Sequence, residues 1–254
     1  MKILYFSGTG NSLYVSKKIG GELLSIPQLI KNNQYKIVDD LVGIICPVYC
    51  MTMPNLVKEY LTQVEINCDY LFVIMTYGSS HFNSLSDVTQ VLNKKGLRIN
   101  YSNYVLMVDN FIPSYDIKEQ KELHDNKSIA LEVNKIKEDI FLRKNYQPSI
   151  NKVRDKVMEL VYKIIYKVFL RFVVNLYFDY ESCNQCKVCY NICPKGNIEL
   201  KDNIPFFNDN CAYCLACIQN CPKGAIHDKR EKNSEHFRNP NVKLSELIQS
   251  NNQN

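Results

Sequence analysis

The sequence predicts an α/β domain built on a doubly wound, parallel, five-stranded sheet, followed by a small cysteine-rich α+β domain. Three observations carry this expectation. Over residues 1 to about 110, short apolar runs alternate with helical periods, the pattern of a parallel sheet with right-handed crossovers. The first run ends in Ser7-Gly8-Thr9-Gly10-Asn11-Ser12, a turn rich in glycine and hydroxyl groups that leads into a helix. Far downstream, two cysteine blocks share one spacing.

The elements follow in order. Lys2 to Phe6 reads as the first strand, and Leu13, Ile19 and Leu23 supply the buried face of the helix after it. Tyr35 to Val38 is a weak second strand. Leu41 to Tyr49 and Tyr70 to Tyr77 are almost continuously apolar, as strands buried on both faces are. Pro54 opens a helix that runs through Leu61. A helix near Leu85 to Lys95 precedes a strand around Tyr104 to Val108. Ile129, Val133, Ile136 and Ile140 mark one apolar helix face between residues 119 and 144. Asn145 to Ser149 breaks the pattern and sets a boundary. The division expected is 1–146 for the α/β domain, 147–180 for a helical linker, 181–228 for the cysteine-rich domain and 229–254 for a tail. Val157 to Phe178 is long and apolar, but Glu159, Lys163, Lys167 and Arg171 form a polar stripe on it. Such a helix is either packed between domains or lies on a membrane surface; the packed reading is the expectation, because two domains need an interface element, and membrane contact is not expected. A short helix is expected at Val242 to Gln249, with a frayed end after it.

The cysteine blocks begin at Cys183 and Cys211, 28 residues apart, and agree at every cysteine, at Pro-Lys-Gly and at the closing Ile. Each is C-x-x-C-x-x-C-x-x-x-C-P, a duplicated and specific signal for two [4Fe–4S] clusters. Three closely spaced thiolates wrap one cubane, and the fourth cysteine, before its proline, ligates the other. One cluster takes Cys183, Cys186, Cys189 and Cys221; the second takes Cys211, Cys214, Cys217 and Cys193. Zinc is the alternative, but it favours ligands in two separated pairs. Cys46, Cys50 and Cys68 lie outside the blocks and read as small apolar residues.

The turn Ser7–Ser12 is neither a G-x-G-x-x-G fingerprint nor a P-loop. Its amides, the following helix N-terminus and the side chains of Ser7, Thr9, Asn11 and Ser12 suit a phosphate, with Gly8 and Gly10 permitting close approach. An ordinary strand–helix turn is the plainer reading of the same residues. Open doubly wound sheets bind ligands beyond the carboxyl ends of their strands, at the point where strand order reverses. Two further strand ends converge there: Pro47, Val48, Tyr49 and Met51 on one, and Thr76, Tyr77, Gly78 and Phe82 on the other. Tyr49 and Tyr77 are apt to stack on a flavin ring. With Ser7, Thr9, Gly10, Asn11 and Ser12 they form the expected FMN site.

Residues 1 to 145 resemble flavodoxins in the "SGTGN" turn and the "PVY…P" segment, and residues 181 to 227 resemble bacterial two-cluster ferredoxins. The whole chain resembles the flavodoxin–ferredoxin fusion proteins of anaerobes, the EFR-type ferredoxins. That resemblance implies bound FMN, two [4Fe–4S] clusters and an unspecified redox partner protein. The expected function is intracellular electron transfer between FMN, the clusters and that partner. The rival expectation is an enzyme that reduces a small substrate at FMN, with His81 as the candidate proton donor and Ser79 and Ser80 beside it.

Composition fits this reading. The chain has 254 residues, 46% of them hydrophobic, enough for a packed core. Its 11 cysteines lie in a large chain whose start, "MKILYFSGTG", has no signal-peptide pattern, so a reducing cytoplasm is expected rather than a disulfide scaffold. The formal charge of +5 is offset by anionic clusters. No basic run interleaved with aromatics marks a nucleic-acid surface.

Overall fold

In the computed structural model, which describes residues 1–124, 126–149 and 176–254, the continuous apolar runs become the middle of a sheet. The α/β half runs β1 (Lys2–Tyr5), α1 (Asn11–Ile19), β2 (Glu22–Ser25), α2 (Ile26–Lys31), β3 (Lys36–Val38), β4 (Leu41–Pro47), α3 (Asn55–Gln63), β5 (Glu65–Asn67), β6 (Tyr70–Tyr77), α4 (Ser84–Asn93), β7 (Tyr101–Leu106), α5 (Ile117–Leu123) and α6 (Asn126–Phe141). Five strands pair in parallel in the order β2-β1-β4-β6-β7. The winding reverses between β1 and β4, which places the crevice of the sheet at their carboxyl ends.

Alternation along each strand feeds two cores. Leu4, Val42, Ile44, Val73 and Met75 face α2, α3 and α4. Ile3, Tyr5, Ile45, Phe72 and Ile74 face α1 and α6, where Ile129, Val133, Ile136 and Ile140 form the buried stripe expected of them.

Several elements differ from expectation. Gly20 and Gly21, both at positive φ, stop α1, so Leu23 belongs to the edge strand β2 and not to a helix face. Lys36–Val38 is a strand, but it pairs with β5 in a separate two-stranded ribbon. The helical stretch expected over 119–144 is two helices, and Asp116 caps α5 by accepting from the N–H groups of Lys118 and Glu119. The boundary segment is tied to the sheet, because Tyr146 bridges Tyr101 beside β7.

Most of the linker helix expected over Val157–Phe178 lies outside the described residues. Its last three residues are extended instead, as β8 (Leu176–Phe178), antiparallel to β11 (Ile226–Asp228). Between these lie α7 (Val188–Asn191), the hairpin β9 (Ile198–Lys201) and β10 (Ile204–Phe207), and α8 (Ala216–Gln219). Among the described residues, no helix is long and apolar enough to cross a membrane.

The tail does not stand apart. The helix α9 (Leu244–Asn251) lies on the α1 face, with Val242 and Leu247 in the same core as Ile3 and Tyr5. Its last turn is buried, although Asn254 beyond it is exposed: Ser250 shares a 2.7 Å hydrogen bond with the Tyr5 hydroxyl and also donates to the Glu246 carbonyl. Gln28 and Lys31 of α2 donate to the carbonyls of Asn252 and Asn254. A third core joins Ile112 and Ile117, which follow β7, to Leu215, Ile218, Ile226 and Phe237.

Candidate metal centres

The duplication in sequence is a duplication in backbone. Gln185, Lys187 and Gly196 of the first block adopt positive φ, and so do their counterparts Tyr213, Leu215 and Gly224, each 28 positions later. These left-handed residues turn the short loop around its thiols, and α7 and α8 start directly after Lys187 and Leu215. Amide-to-sulfur bonds repeat as well. Gln185 donates to Cys183 at 3.3 Å and Tyr213 to Cys211 at 3.3 Å. Asn197 donates to Cys193 at 3.2 Å and Ala225 to Cys221 at 3.3 Å.

The eight cysteines sort into two rings. Cys183, Cys186, Cys189 and Cys221 line one cavity, walled by Val188, Leu200, Pro205 and Ile226. Cys193, Cys211, Cys214 and Cys217 line the other, walled by Ile198, Phe207 and Leu215. In each, three thiols come from one block and the fourth from the other. Among the described residues, no three His, Cys, Asp or Glu side chains converge as a single ion requires; each ring encloses a space instead. Burial pushes the Cys189 thiol up to about 12 and the Cys211, Cys214 and Cys217 thiols up as well, with neighbouring cysteines adding to the effect. A lone thiolate is disfavoured there, and a cationic iron core is the counter-charge that suits such a ring. The donor set fits iron–sulfur clusters.

The two rings are not equivalent. The loop Glu181–Lys187 of the first is largely exposed, Cys186 included. The loop of the second faces the α/β half, where Cys214 packs against both of its cores. Tyr213, inside that loop, donates to Asp228 at 2.6 Å, and Arg230 grips the same carboxylate through Nε and Nη2, each at 2.9 Å.

The Asp228 side chain is 0% exposed. Burial works to raise its pKa, but the bonds from Arg230 and Tyr213 outweigh it and hold the carboxyl below its usual range. A depressed folded value contributes stability that is present above the unfolded pKa of about 3.9 and is lost as pH falls through the folded one. Asp228→Asn is therefore expected to destabilise the chain by about 2–3 kcal/mol at neutral pH, with the gap to wild type closing in acid. Urea midpoints of both chains, at neutral pH and below about pH 3, check this; a gap that widens in acid contradicts it.

The turn Ser7–Ser12 sits at the crevice but is closed. Ser7 is 2% exposed and Ser12 1%. Each of the four polar side chains has a partner within the protein. Ser7 Oγ accepts from the Gly10 N–H at 3.0 Å, and Thr9 Oγ1 from Asn110 at 2.7 Å. Asn11 donates to the Val108 carbonyl and accepts from Asn239, each at 3.1 Å. Ser12 and Thr76 share a 2.8 Å bond between hydroxyls. The Asn239 N–H donates to the Thr9 carbonyl at 2.9 Å, and Asn251 Nδ2 to the Ser7 carbonyl at 3.0 Å. A methyl group on Gly8 would stand 2.6 Å from the Cys214 carbonyl oxygen. One on Gly10, at φ 102°, would stand 3.0 Å from Asn239 Cβ. A flavin phosphate does not fit this turn as the chain is folded.

The other residues expected at FMN are placed as follows. Val48 donates to the Thr76 carbonyl at 2.8 Å, joining the loop after Pro47 to the end of β6. Tyr49 to Thr52 form a tight turn, with Cys50 and Met51 both at positive φ. Tyr49 leans edge-on against Phe6, and its hydroxyl points at Gly8. Burial pushes its pKa well above the ordinary phenol value, with Cys214, Cys46 and Cys50 adding to the shift. Tyr77 meets His81 edge-on, and His81 stacks on Tyr104 at 3.8 Å between ring centroids. His81 Nδ1 is 2.8 Å from the carbonyl of Phe82, itself at positive φ. Gly78 lies against Asp109. Sequence reasoning did not single out Asn110, Gln219, Asn239 or Asn251. Gln219 donates to the Asn110 carbonyl at 2.8 Å and accepts from the Phe237 N–H at 2.6 Å. The legible signal for the tail was Leu244, Leu247 and Ile248 at helical spacing.

Comparison with known proteins bears on the second half of the chain. The family described as the 4Fe-4S dicluster domain matches residues 179–225, which hold all eight block cysteines. Iron–sulfur electron transfer is the chemistry this match supports. No curated protein matches the chain. Among solved structures, the chain is similar to the Trp repressor binding protein from Bacillus subtilis, at 11% identity and a TM-score of 0.29, over 42% of this chain and 83% of that one. A likeness at that level carries no argument about fold or function.

Proposed function

We propose that the protein is an electron carrier that holds two [4Fe–4S] clusters in series, the first open to a redox partner protein and the second seated against the α/β half. The observation that carries this reading is the sorting of eight cysteines into two rings of four, each completed by a cysteine from the other block. Bound clusters supply one-electron transfer at low potential. The chain supplies the rest. Amide N–H groups of Gln185, Asn197, Tyr213 and Ala225 point at sulfur and tune the sites. Ile198, Leu215, Ile218 and Ile226 exclude water from between them. The exposed rim Glu181–Lys187, with Tyr180 and Phe206 also exposed, is the side from which a partner approaches the first ring.

No step is assigned to a flavin, because the turn that would hold its phosphate is covered. Reduction of a small substrate at FMN goes with it, and His81 is already engaged by Tyr104 and the Phe82 carbonyl. Iron and acid-labile sulfide in anaerobically purified protein test the reading. About eight of each per chain are expected, with an electron paramagnetic spectrum of two interacting clusters on reduction. About four of each, or zinc in their place, would overturn it.

A further inference from the structure

The residues that cover Ser7–Ser12 do so with matched polar groups and not by incidental crowding. Two carboxamides of the C-terminal region, Asn239 and Asn251, bond to the turn from one side. The Cys214 peptide lies against Gly8 from another. Asn251 is 0% exposed, although its Oδ1 finds no partner among the described residues. Burying an unpaired carbonyl is costly, so the surrounding contacts must hold the tail in place. They do: Ser250 bonds to Tyr5, Ser25 donates to the Ser250 carbonyl, and Lys17 pairs with Glu246 at 2.6 Å.

We infer that the glycine turn after β1 is a seat for the chain's own second cluster loop and C-terminal tail, and that these occupy it in place of a flavin phosphate. A turn shaped to let a phosphate approach closely lets a peptide approach closely for the same reason: Gly8 has no side chain to hold Cys214 away. The seat fixes the second ring against the sheet and keeps water from it. The α/β half then acts as an anchor for that ring, and the chain binds no FMN. The inference stands apart from the number of clusters, since the contacts that carry it are between protein groups.

The test is hydrogen exchange on the cluster-loaded full chain, with and without FMN, beside equilibrium dialysis against FMN and against inorganic phosphate. The amides of Gly8 to Ser12, all buried and that of Gly10 bonded to Ser7 Oγ, are expected to exchange more slowly than those of the exposed loop Glu181–Lys187, with no change on adding either probe and no FMN retained. Asn239→Ala and Asn251→Ser are each expected to speed exchange across the turn by about tenfold, as loss of one hydrogen bond to a buried group implies. One FMN retained per wild-type chain, or turn amides exchanging as freely as an exposed loop, would overturn the inference. So would unchanged turn exchange in both variants while each stays folded. Wild-type exchange and dialysis decide the matter even if a variant fails to fold.

Discussion

Gly8→Ala is expected to destabilise the protein by about 1–3 kcal/mol, the usual cost of adding a methyl group to a filled site. The new Cβ would lie 2.6 Å from the Cys214 carbonyl oxygen, 3.1 Å from the Tyr49 hydroxyl and 3.3 Å from Cys214 Cβ. The first of these is backbone, held by a loop whose Tyr213 is fastened to Asp228. The loop cannot retreat without loosening that bond, so relief requires the second ring to lift from the sheet. The expected signature is specific. The melting temperature falls by roughly 2–10 °C for a chain of this size, and the iron of the second ring becomes more labile to chelator while the first is unchanged. Equal lability of both, or wild-type stability, would show that the halves are not seated on each other through Gly8.

Cysteine replacements should separate the rings. Cys186→Ser removes a ligand from the exposed loop, and iron is expected to fall from about eight to about four per chain with the second ring and the fold retained. Cys214→Ser should lose a similar amount of iron. It should also unsettle the docked surface, because Cys214 packs against both cores of the α/β half. Electron exchange with an external protein acceptor is expected to suffer most in the Cys186 variant, whose remaining ring lies on the inner side. The measurements are iron content, unfolding midpoint and reoxidation rate for the two variants side by side. Equal loss of stability would contradict the asymmetry between an outer and an inner ring. The Lys195–Glu59 ion pair also spans the halves at 3.0 Å, but Glu59 is 55% exposed, and such pairs contribute little.

Periodicity made the sheet legible wherever burial is two-sided. β4 and β6 were visible because every residue must be apolar when both faces are covered. The edge strand β2 was not, since Glu22–Ser25 is short and half exposed, and its leucines fit a helical period equally well. The Gly20-Gly21 stop was the available clue. Lys36–Val38 is legible as a strand, but which sheet a strand joins depends on pairing, and three residues specify it weakly. At the extended end of the expected linker helix, Leu176–Phe178, helical periodicity yielded to cross-strand pairing with Ile226–Asp228.

By itself the sequence determined the duplicated cysteine spacing and the turns that go with it, because these are local properties of each block; that a cysteine of each block lies beside the three of the other is a matter of tertiary structure. The sequence also determined that a close-approach turn follows β1, because glycines state that room is needed there. What would fill the room was not a local property. Side-chain groups that suit a phosphate suit carboxamides and peptide carbonyls as well, and the residues that arrive are more than 200 positions away in sequence. Only the tertiary structure brings Cys214, Asn239 and Asn251 to the turn, because apolar burial on α9 and around Ile112, Ile117 and Phe237 folds the second half back onto the first.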